Sequence, residues 1–375
     1  MSGIYIHIPF CKSKCHYCNF ISMASVKFRD EYVRALQKEI LLQKDFYQPE
    51  TPLQTVYFGG GTPSLLNASQ IESILQNLHK HFLVKQDAEI TLEINPDDVN
   101  ELYLSQLRKT GINRLSIGVQ SFHDDELLYL GRRHDASKSV ESILIARDAG
   151  FDNISIDFIY GLPAKFSKNP AYNIGQAIRF NVEHISAYSL TMEENSILFN
   201  QVQKGKMLPP DENLSNEQFV FYMKLLKEAG YEHYEISNFA KKGYRSLHNS
   251  NYWKNKPYLG LGTGAHSFDL KTRFWNTSSV VDYISDMECQ TPVRETEILS
   301  ITQQYNEYVM LSLRTSEGMC LETIQKRFGQ KYAAHVLTHI KKHIDNEHIV
   351  SINSIYYLSV SGKLWADGIA SDLMI

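Results

Sequence analysis

The sequence predicts an α/β protein, with a largely parallel sheet covered by helices and a smaller, mainly helical C-terminal domain. Strand-like and helix-like segments alternate six times through the first half of the chain. The alternation ends after about residue 195. Beyond about residue 296 the pattern becomes mainly helical and closes with the hairpin-like stretch "HIVSINSIYYLSVSGKLW".

The predicted strands are short β-rich runs that each precede a polar or helical stretch. They are "GIYIHIP", "TVYFGGG", "EITLEINP", "RLSIGVQS", "NISIDFIYGLP" and "HISAYSLT". Segments such as "FRDEYVRALQKEILLQK" between them are typical of covering helices. Both an open doubly wound sheet and a closed or partly closed barrel satisfy this order, and periodicity does not separate them. In either arrangement, the polar residues that end the strands meet on one face.

The later part of the chain predicts two further units after a first domain over residues 1–235. Residues 236–295 form a connecting segment with the aromatic stretch "HNSNYW" and a Gly-rich loop. Residues 296–375 form the helical domain with its terminal hairpin, a pattern that resembles a winged helix. The net charge of −4 and the lack of a Lys/Arg-dense recognition helix argue against nucleic acid as a partner.

Composition places the chain among ordinary globular proteins, with 43% hydrophobic and 21% charged residues. The start "MSGIYIHIPF" is not a secretory signal, and no window reaches the ~20 apolar residues of a membrane span. We therefore expect a cytoplasmic protein without a transmembrane segment. In a reducing cytosol, clustered cysteines more often bind metals or act in catalysis than form disulfides.

Three of the five cysteines, Cys11, Cys15 and Cys18, lie together in "YIHIPFCKSKCHYCNF". Their spacing would align them on a helix as small buried residues, but Pro9 and the polar residues between them favour a loop after a strand. A zinc site is a second interpretation, with His7 or His16 as the fourth ligand. The third is a [4Fe–4S] cluster held by three thiolates, which leaves one iron open to a small molecule.

The pattern Cys-x3-Cys-x2-Cys after a first strand, with Tyr17 just before the last cysteine, resembles the signature of radical S-adenosylmethionine enzymes. The resemblance implies a partial (β/α)6 barrel and a [4Fe–4S] cluster on Cys11, Cys15 and Cys18. It also implies that the open iron chelates the amino and carboxylate groups of S-adenosylmethionine. The triple glycine of "TVYFGGGTPS" is similar to the segment that binds the amino group.

Further stretches, "LEINPDD", "SIGVQSF", "LGRRH" and "IDFIYGLP", resemble motifs of oxygen-independent coproporphyrinogen III dehydrogenase and its relatives. Read singly, their polar residues are more often caps or surface groups. By the resemblance, the S-adenosylmethionine contacts are Tyr5, Gly60, Gly61, Thr62, Glu93, Gln120, Arg132 and Asp157. Thr191 and the stretch from Gly264 to His266 align only loosely. No catalytic residue is assigned.

Two functional classes share this pattern. The dehydrogenases carry Cys-x3-Cys-x2-Cys-x-Cys after an N-terminal arm, whereas this sequence has Phe20 at the last cysteine position and four residues before Tyr5. The haem chaperones share the compact start and carry His-Asn-x-x-Tyr-Trp, which "HNSNYW" supplies. Imidazole can ligate haem iron, and the aromatic pair offers a flat apolar surface. These residues could also simply pack and hydrogen-bond a turn. The predicted haem-binding residues are His248, Tyr252 and Trp253.

The resemblance therefore implies a haem chaperone that carries haem as cargo to apo-haemoproteins, with respiratory proteins at the membrane as the expected recipients. A homodimer and a peripheral position at the inner face of the membrane are further expectations. The alternative function is oxidative decarboxylation of coproporphyrinogen III, and enzymatic activity is left open.

Overall fold

A computed structural model describes residues 2–167 and 169–375, which form fifteen strands and sixteen α-helices. The strands are β1 (Gly3–Ile8), β2 (Leu53–Gly60), β3 (Val84–Ile94), β4 (Arg114–Gln120), β5 (Ile154–Tyr160), β6 (His184–Ser189), β7 (Glu232–Glu235), β8 (Asn238–Ala240), β9 (Tyr258–Leu261), β10 (His266–Phe268), β11 (Thr272–Asn276), β12 (Arg294–Ile298), β13 (Met319–Cys320), β14 (Ile349–Ile352) and β15 (Ile355–Leu358).

The helices connect and cover these strands. They are α1 (Arg29–Leu42), α2 (Ala68–His81), α3 (Glu101–Thr110), α4 (Asp124–Tyr129), α5 (Ala136–Asp148), α6 (Pro170–Arg179), α7 (Ile197–Gln203), α8 (Glu212–Glu228), α9 (Leu247–Trp253), α10 (Val280–Glu288), α11 (Ile301–Leu313), α12 (Leu321–Phe328), α13 (Gln330–His339), α14 (Lys341–Asp345), α15 (Val360–Lys363) and α16 (Ala366–Leu373). Among the described residues, none of these helices has the length and apolar character needed to cross a membrane.

The six predicted strands pair in parallel and in sequence order, from β1 to β6. A doubly wound sheet reverses its strand order at a switch point, whereas a barrel winds its strands consecutively. The consecutive order therefore decides between the two arrangements that periodicity left open. Strands β12 and β7 are the two edges of the sheet, so the described strands form a partial barrel, as predicted.

The two faces of these strands differ in chemistry. Apolar residues of the strands, such as Ile6, Phe58 and Ile117, are buried in one core with the covering helices. The alternate positions of the same strands carry polar residues, as in Glu93 of β3 and Asp157 of β5. Because successive side chains of a strand point to opposite faces, the polar set faces the inside of the partial barrel.

Residues 236–295 continue the same sheet through β8 to β11. Strand β9 pairs in parallel with β1, and β10, β11 and β12 follow it in antiparallel order. At the other edge, β8 pairs antiparallel with β6, and β7 with β8. The predicted motif "HNSNYW" lies on the short helix α9, between these two groups of strands.

The C-terminal part has its own core and its own small sheet. Helices α11, α12, α13 and α16 share a cluster of buried residues, and the hairpin β14–β15 pairs with β13. The unit is mainly helical, as predicted, but the hairpin does not end the chain, because α15 and α16 follow it. It contacts the barrel at β7, where the Ile236 N–H donates to the Arg314 carbonyl at 3.0 Å and the Ser316 N–H donates to the Tyr234 carbonyl at 2.9 Å.

Candidate functional site

The three clustered cysteines lie on a loop that follows β1, as the sequence predicted. The loop is fixed by backbone hydrogen bonds, from the Cys11 N–H to the Met23 carbonyl at 2.9 Å and from the His16 N–H to the Leu130 carbonyl at 3.0 Å. All three thiols line one cavity of about 1380 Å³. Burial raises the pKa of Cys11 and of Cys18, so metal binding has to supply the energy for deprotonation.

The structure weakens the zinc interpretation. The Nε2 of His7 lies 2.8 Å from the Ile21 carbonyl and its Nδ1 lies 3.1 Å from the Tyr5 hydroxyl, so both ring nitrogens are occupied. The Nδ1 of His16 lies 2.8 Å from the Tyr129 carbonyl. Among the described residues, no three His, Cys, Asp or Glu side chains are grouped around a single metal position. Three thiols on one cavity instead fit a cluster in which each thiolate binds a different iron.

The glycine turn after β2 brings backbone against the cysteine loop. The Gly61 N–H donates to the Ile8 carbonyl at 2.8 Å. A Cβ at Gly61 would lie 2.7 Å from the Phe10 carbonyl oxygen and 3.1 Å from the Cys11 sulfur. Gly60 has a φ of +113°, which favours glycine. The glycine turn can therefore lie against the cysteine loop only because it has no side chains. The next residue, Thr62, directs its hydroxyl to the Cys11 sulfur at 3.6 Å.

Two carboxyl groups lie further along the inside of the barrel. Glu93 accepts from the Tyr57 hydroxyl at 2.8 Å and from the Gly60 N–H at 3.2 Å. Burial raises the pKa of Glu93 to about 7, and the nearby Asp157 adds to the rise. Burial also raises the pKa of Asp157. Both groups line the cavity, so a cationic ligand would find two carboxyl groups that gain from its charge.

Arg132 connects the cysteine loop with the strand ends. Its guanidinium donates to the Asn95 side-chain oxygen at 2.6 Å and to the Gly118 carbonyl at 2.9 Å, and its Nη1 lies 3.4 Å from the Cys15 sulfur. Asn95 in turn donates to the Thr62 hydroxyl at 3.1 Å. Asn95 is one of the polar strand-end residues expected on this face, but it is not among the predicted S-adenosylmethionine contacts.

Most of the predicted S-adenosylmethionine contacts line the same cavity. Those present are Gly60, Gly61, Thr62, Glu93, Gln120, Arg132 and Asp157. Thr191 lines it as well, while the stretch from Gly264 to His266 does not. Tyr5 lies just behind the lining, where its ring stacks on Tyr57 with centroids 6.2 Å apart. The Tyr5 hydroxyl donates to His7, because the Ile21 carbonyl takes the His7 Nε2 proton.

Helix α9 divides the predicted haem residues between two environments. Tyr252 and Trp253 line the cavity, whereas His248 lies beneath them with 2% of its surface exposed. The His248 Nδ1 is 2.9 Å from the Thr55 hydroxyl and its Nε2 is 2.9 Å from the Tyr252 hydroxyl. Burial, with a smaller effect of Arg114, lowers the pKa of His248 to about 3, so the ring is neutral. The His248 Nε2 could therefore reach a ligand in the cavity only if Tyr252 turned away.

Buried groups anchor the start of α9. The Glu89 carboxylate accepts the backbone N–H groups of Leu247 and His248, each at 3.0 Å. The His248 ring also stacks on Tyr57, with centroids 5.1 Å apart and planes 25° apart. A carboxylate at the amino end of a helix is favourable both as a hydrogen-bond acceptor and as a charge. The orientation of Tyr252 and Trp253 therefore depends on the barrel interior.

The C-terminal domain forms one wall of the cavity, which sequence reasoning missed. The residues that contribute are Met310, Leu311, Arg314, Lys363, Leu364, Trp365, Ala366, Asp367 and Gly368. Trp365 is 62% exposed, and Phe20 on the cysteine loop is 67% exposed. No periodic pattern or motif marked these positions, because they belong to a different domain and meet the barrel only in the folded chain.

Two family models match the chain. The model described as the Radical SAM superfamily matches residues 5–165, and the model described as the HemN C-terminal domain matches residues 299–365. The superfamily implies a [4Fe–4S] cluster and S-adenosylmethionine. The described residues fit both, because the three thiols share one cavity and the glycine turn leaves the space beside Cys11 free of side chains.

Individual relatives extend over nearly the whole chain. The heme chaperone HemW of Bacillus subtilis is 36% identical over 372 residues, which cover 97% of each chain, and that of Synechocystis sp. is 35% identical over 85% of this chain and 79% of its own. The solved structure of coproporphyrinogen III oxidase (HemN) from Escherichia coli matches with a TM-score of 0.84. That match covers 100% of this chain and 90% of the other at 22% identity, which shows the shared fold alone. From its identity to these relatives over its length, the chain belongs to the HemW family of the radical SAM superfamily.

Proposed function

We propose that this protein is a haem chaperone, which binds haem in the cavity and passes it to apo-haemoproteins. One observation carries the proposal: a single cavity is lined by the cysteine loop, by aromatic residues of α9 and by residues of the C-terminal domain. Its volume of about 1380 Å³ exceeds the roughly 300–1,000 Å³ of a site for one drug-sized ligand. The cavity therefore has room for a cofactor and a second, flat apolar ligand.

The aromatic lining of the cavity suits a porphyrin. Tyr252, Trp253 and Trp365 contribute to it, and Phe20 adds apolar surface at the position where the dehydrogenase pattern has its fourth cysteine. Flat aromatic side chains offer large contact areas with little loss of side-chain entropy. The names of the relatives, heme chaperone HemW, support the same class of ligand.

His248 would bind the haem iron once Tyr252 moves. The imidazole is neutral, as a metal ligand must be, and its Nε2 is hydrogen-bonded to the hydroxyl of Tyr252, a residue that lines the cavity. Breaking one such hydrogen bond costs about 1 kcal/mol, which an iron–nitrogen bond can offset. In this proposal, haem binding and the turn of Tyr252 occur together.

The cysteine loop and the polar residues that follow the strands would bind the groups that the superfamily implies. Cys11, Cys15 and Cys18 would hold the [4Fe–4S] cluster, and the glycine turn with Glu93 and Asp157 would bind S-adenosylmethionine. A bound cluster would supply one-electron chemistry and one iron without a protein ligand. Arg132 and Asn95 are hydrogen-bonded to each other and fix the loop against the strand ends.

The finer parts of the proposal concern delivery. Respiratory haemoproteins are the proposed recipients, with a peripheral position at the inner face of the membrane and a homodimer as the delivering form. These parts stay predictions. A pull-down of haem-loaded protein with membrane fractions, and its mass in solution with and without haem, test them directly.

Haem titration followed by transfer tests the central proposal. Purified protein is titrated with ferric haem, and the loaded complex is mixed with apomyoglobin as a generic acceptor. We expect a saturable complex and transfer faster than from free haem in the same buffer. Tyr252→Ala and Trp253→Ala should weaken binding, whereas Tyr172→Ala, an exposed tyrosine of α6, should not.

The alternative function is tested on the same preparation. Protein with a reconstituted cluster is incubated without oxygen with coproporphyrinogen III, S-adenosylmethionine and a reductant. We expect no decarboxylated product. Formation of protoporphyrinogen IX would identify the protein as a dehydrogenase and contradict the chaperone proposal.

A further inference from the structure

Two cationic side chains of the C-terminal domain line the cavity, and neither belongs to the cofactor site. Lys363 ends α15, and Arg314 follows α11. Both lie next to the barrel segment around β7. The Lys363 amine contacts His233, and the Arg314 carbonyl accepts the Ile236 N–H at 3.0 Å. The two cations therefore share one wall of the cavity.

The partner of Lys363 is a neutral histidine. The His233 Nε2 lies 3.0 Å from the Ile236 carbonyl, which only accepts, so this nitrogen carries the proton. The Nδ1 is then an acceptor, and the Lys363 ammonium donates to it at 2.9 Å. Burial, together with the charge of Lys363, lowers the pKa of His233 to about 3, which keeps the ring uncharged. Among the described residues, no carboxylate forms an ion pair with Lys363.

A cation that is partly buried beside a neutral partner has lost hydration without gaining a counter-charge. Burial, with the charge of Lys227, lowers the pKa of Lys363 to about 8. Both acids of β7 have other partners: Glu232 pairs with Arg245 at 3.2 Å, and Glu235 accepts from the Ser237 N–H at 3.2 Å and from the Asn238 side chain. Burial raises the pKa of Glu235, which weakens it further as a counter-charge. An anionic ligand in the cavity would supply the counter-charge that the described residues do not give to Lys363.

Arg314 lies on the same wall, and its guanidinium is held by an acid that is itself exposed. Its Nη2 forms an ion pair with Asp367, whose side chain is 80% exposed. Its Nε is buried and has no hydrogen-bond partner among the described residues. An exposed acid that holds a guanidinium from the solvent side is a weak competitor, because such pairs contribute about 0–1 kcal/mol. Arg314 can therefore exchange Asp367 for a carboxylate of a ligand.

Apolar neighbours define the kind of anion. Leu364 and Trp365 follow Lys363 directly, and Met310 and Leu311 precede Arg314 on the same wall. A small inorganic anion would leave this surface uncovered, whereas a flat apolar molecule with carboxylates at its edge would cover it and meet both cations. We propose that Lys363 binds a carboxylate of the cavity ligand and that Arg314 completes the same subsite. The inference rests on the proposed haem binding, in which these carboxylates are the haem propionates.

Comparison of haem with its dimethyl ester tests the subsite, because the ester keeps the ring and iron but lacks both carboxylate charges. Each ligand is titrated into the wild type and into the variant Lys363→Ala. We expect the wild type to bind haem about tenfold more tightly than the ester, as for one charge-assisted hydrogen bond. Lys363→Ala should lose this preference and bind the ester as the wild type does.

Two further variants separate charge from other roles. Lys363→Arg keeps the cation and should retain the preference for haem, while an exposed lysine of α13, in Lys331→Ala, should behave as wild type. Circular dichroism confirms that each variant is folded. An unchanged haem preference in folded Lys363→Ala overturns this inference alone. If the wild type binds neither haem nor the ester, both the proposed function and this inference are contradicted.

Discussion

The His248 Nε2 and the Tyr252 hydroxyl lie 2.9 Å apart, one helical turn from each other on α9. Tyr252 lines the cavity, whereas His248 is buried behind it. The sequence motif therefore joins an aromatic surface on the cavity to a neutral imidazole behind it, the group proposed as the haem ligand. The Tyr252 hydroxyl occupies the His248 Nε2, so this hydrogen bond has to break before the nitrogen can bind a metal.

Removing that hydroxyl in Tyr252→Phe should strengthen haem binding about fivefold, because the His248 Nε2 no longer gives up a hydrogen bond when it reaches the iron. The aromatic surface is kept. Titration with ferric haem, followed by absorption spectroscopy of the complex, measures the effect. Weaker binding would mean that the hydroxyl itself contacts haem. His248→Ala should change the haem spectrum, and an unchanged spectrum would exclude the histidine as ligand.

Gly61→Ala should lower the iron and sulfide content after anaerobic reconstitution, because the new Cβ would lie 2.7 Å from the Phe10 carbonyl and 3.1 Å from the Cys11 sulfur. The cysteine loop has to move to admit it. Gly175→Ala is the matched control, since nothing lies within 4 Å of a Cβ at that position of α6. Equal iron content in both variants would contradict the close packing of the turn against the loop.

The stability of the protein without S-adenosylmethionine should fall between about pH 4.5 and pH 7 through Glu93. Its pKa is raised to about 7 by burial, so in this window the unfolded chain releases the proton and the folded chain retains it. The stabilisation is fully present below pH 4.5 and lost above pH 7.

Glu93→Gln should remove this dependence. We expect the variant to be more stable than the wild type by about 1–2 kcal/mol at pH 8, a value reduced because Glu93 lines a cavity, and similar to it at pH 5. Urea unfolding at both pH values measures the difference. Glu217→Gln, on the exposed face of α8, serves as the control. A variant that is less stable at pH 8 would show that the ionised carboxylate is favourable there.

Trp365→Ala should weaken haem binding several-fold and leave the iron–sulfur absorption unchanged, because this side chain lines the cavity from the C-terminal domain, far along the chain from the cysteines. Leu337→Ala removes another exposed apolar side chain of that domain, 49% exposed and outside the cavity lining, and should have no effect. Equal haem affinity in the two variants would remove the C-terminal wall from the haem site.

Local patterns predicted the six strands and the helices between them, whereas the partial barrel and most of the cofactor contacts were predicted from the resemblance of the motifs to radical S-adenosylmethionine enzymes. The six strands could be predicted because apolar residues alternate with polar ones such as Glu93 and Asp157. Their parallel pairing could be predicted because helical segments connect successive strands. The cysteine loop and the glycine turn were readable because their chemistry depends on short spacing. Both features lie within one continuous stretch of chain.

Other parts of the site depend on contacts between distant segments. His248 and Thr55 meet only because α9 lies inside the barrel, and nothing in "HNSNYW" shows which side of the helix faces inward. Lys363 and Trp365 reach the cavity because the C-terminal domain contacts β7. Pairing of β9 with β1 likewise joins residues about 250 positions apart, which no local pattern encodes.

The contact between the C-terminal domain and β7 also covers an edge of the large sheet. Strand β7 is an edge of the twelve-stranded sheet, and an exposed edge strand can pair with another chain. The backbone bridge between Glu235 and Thr315 and the bonds of Ile236 and Ser316 occupy this edge. Any displacement of the C-terminal domain that widens the cavity would therefore expose unpaired backbone groups of β7. Release of a ligand by such a movement would carry a risk of aggregation.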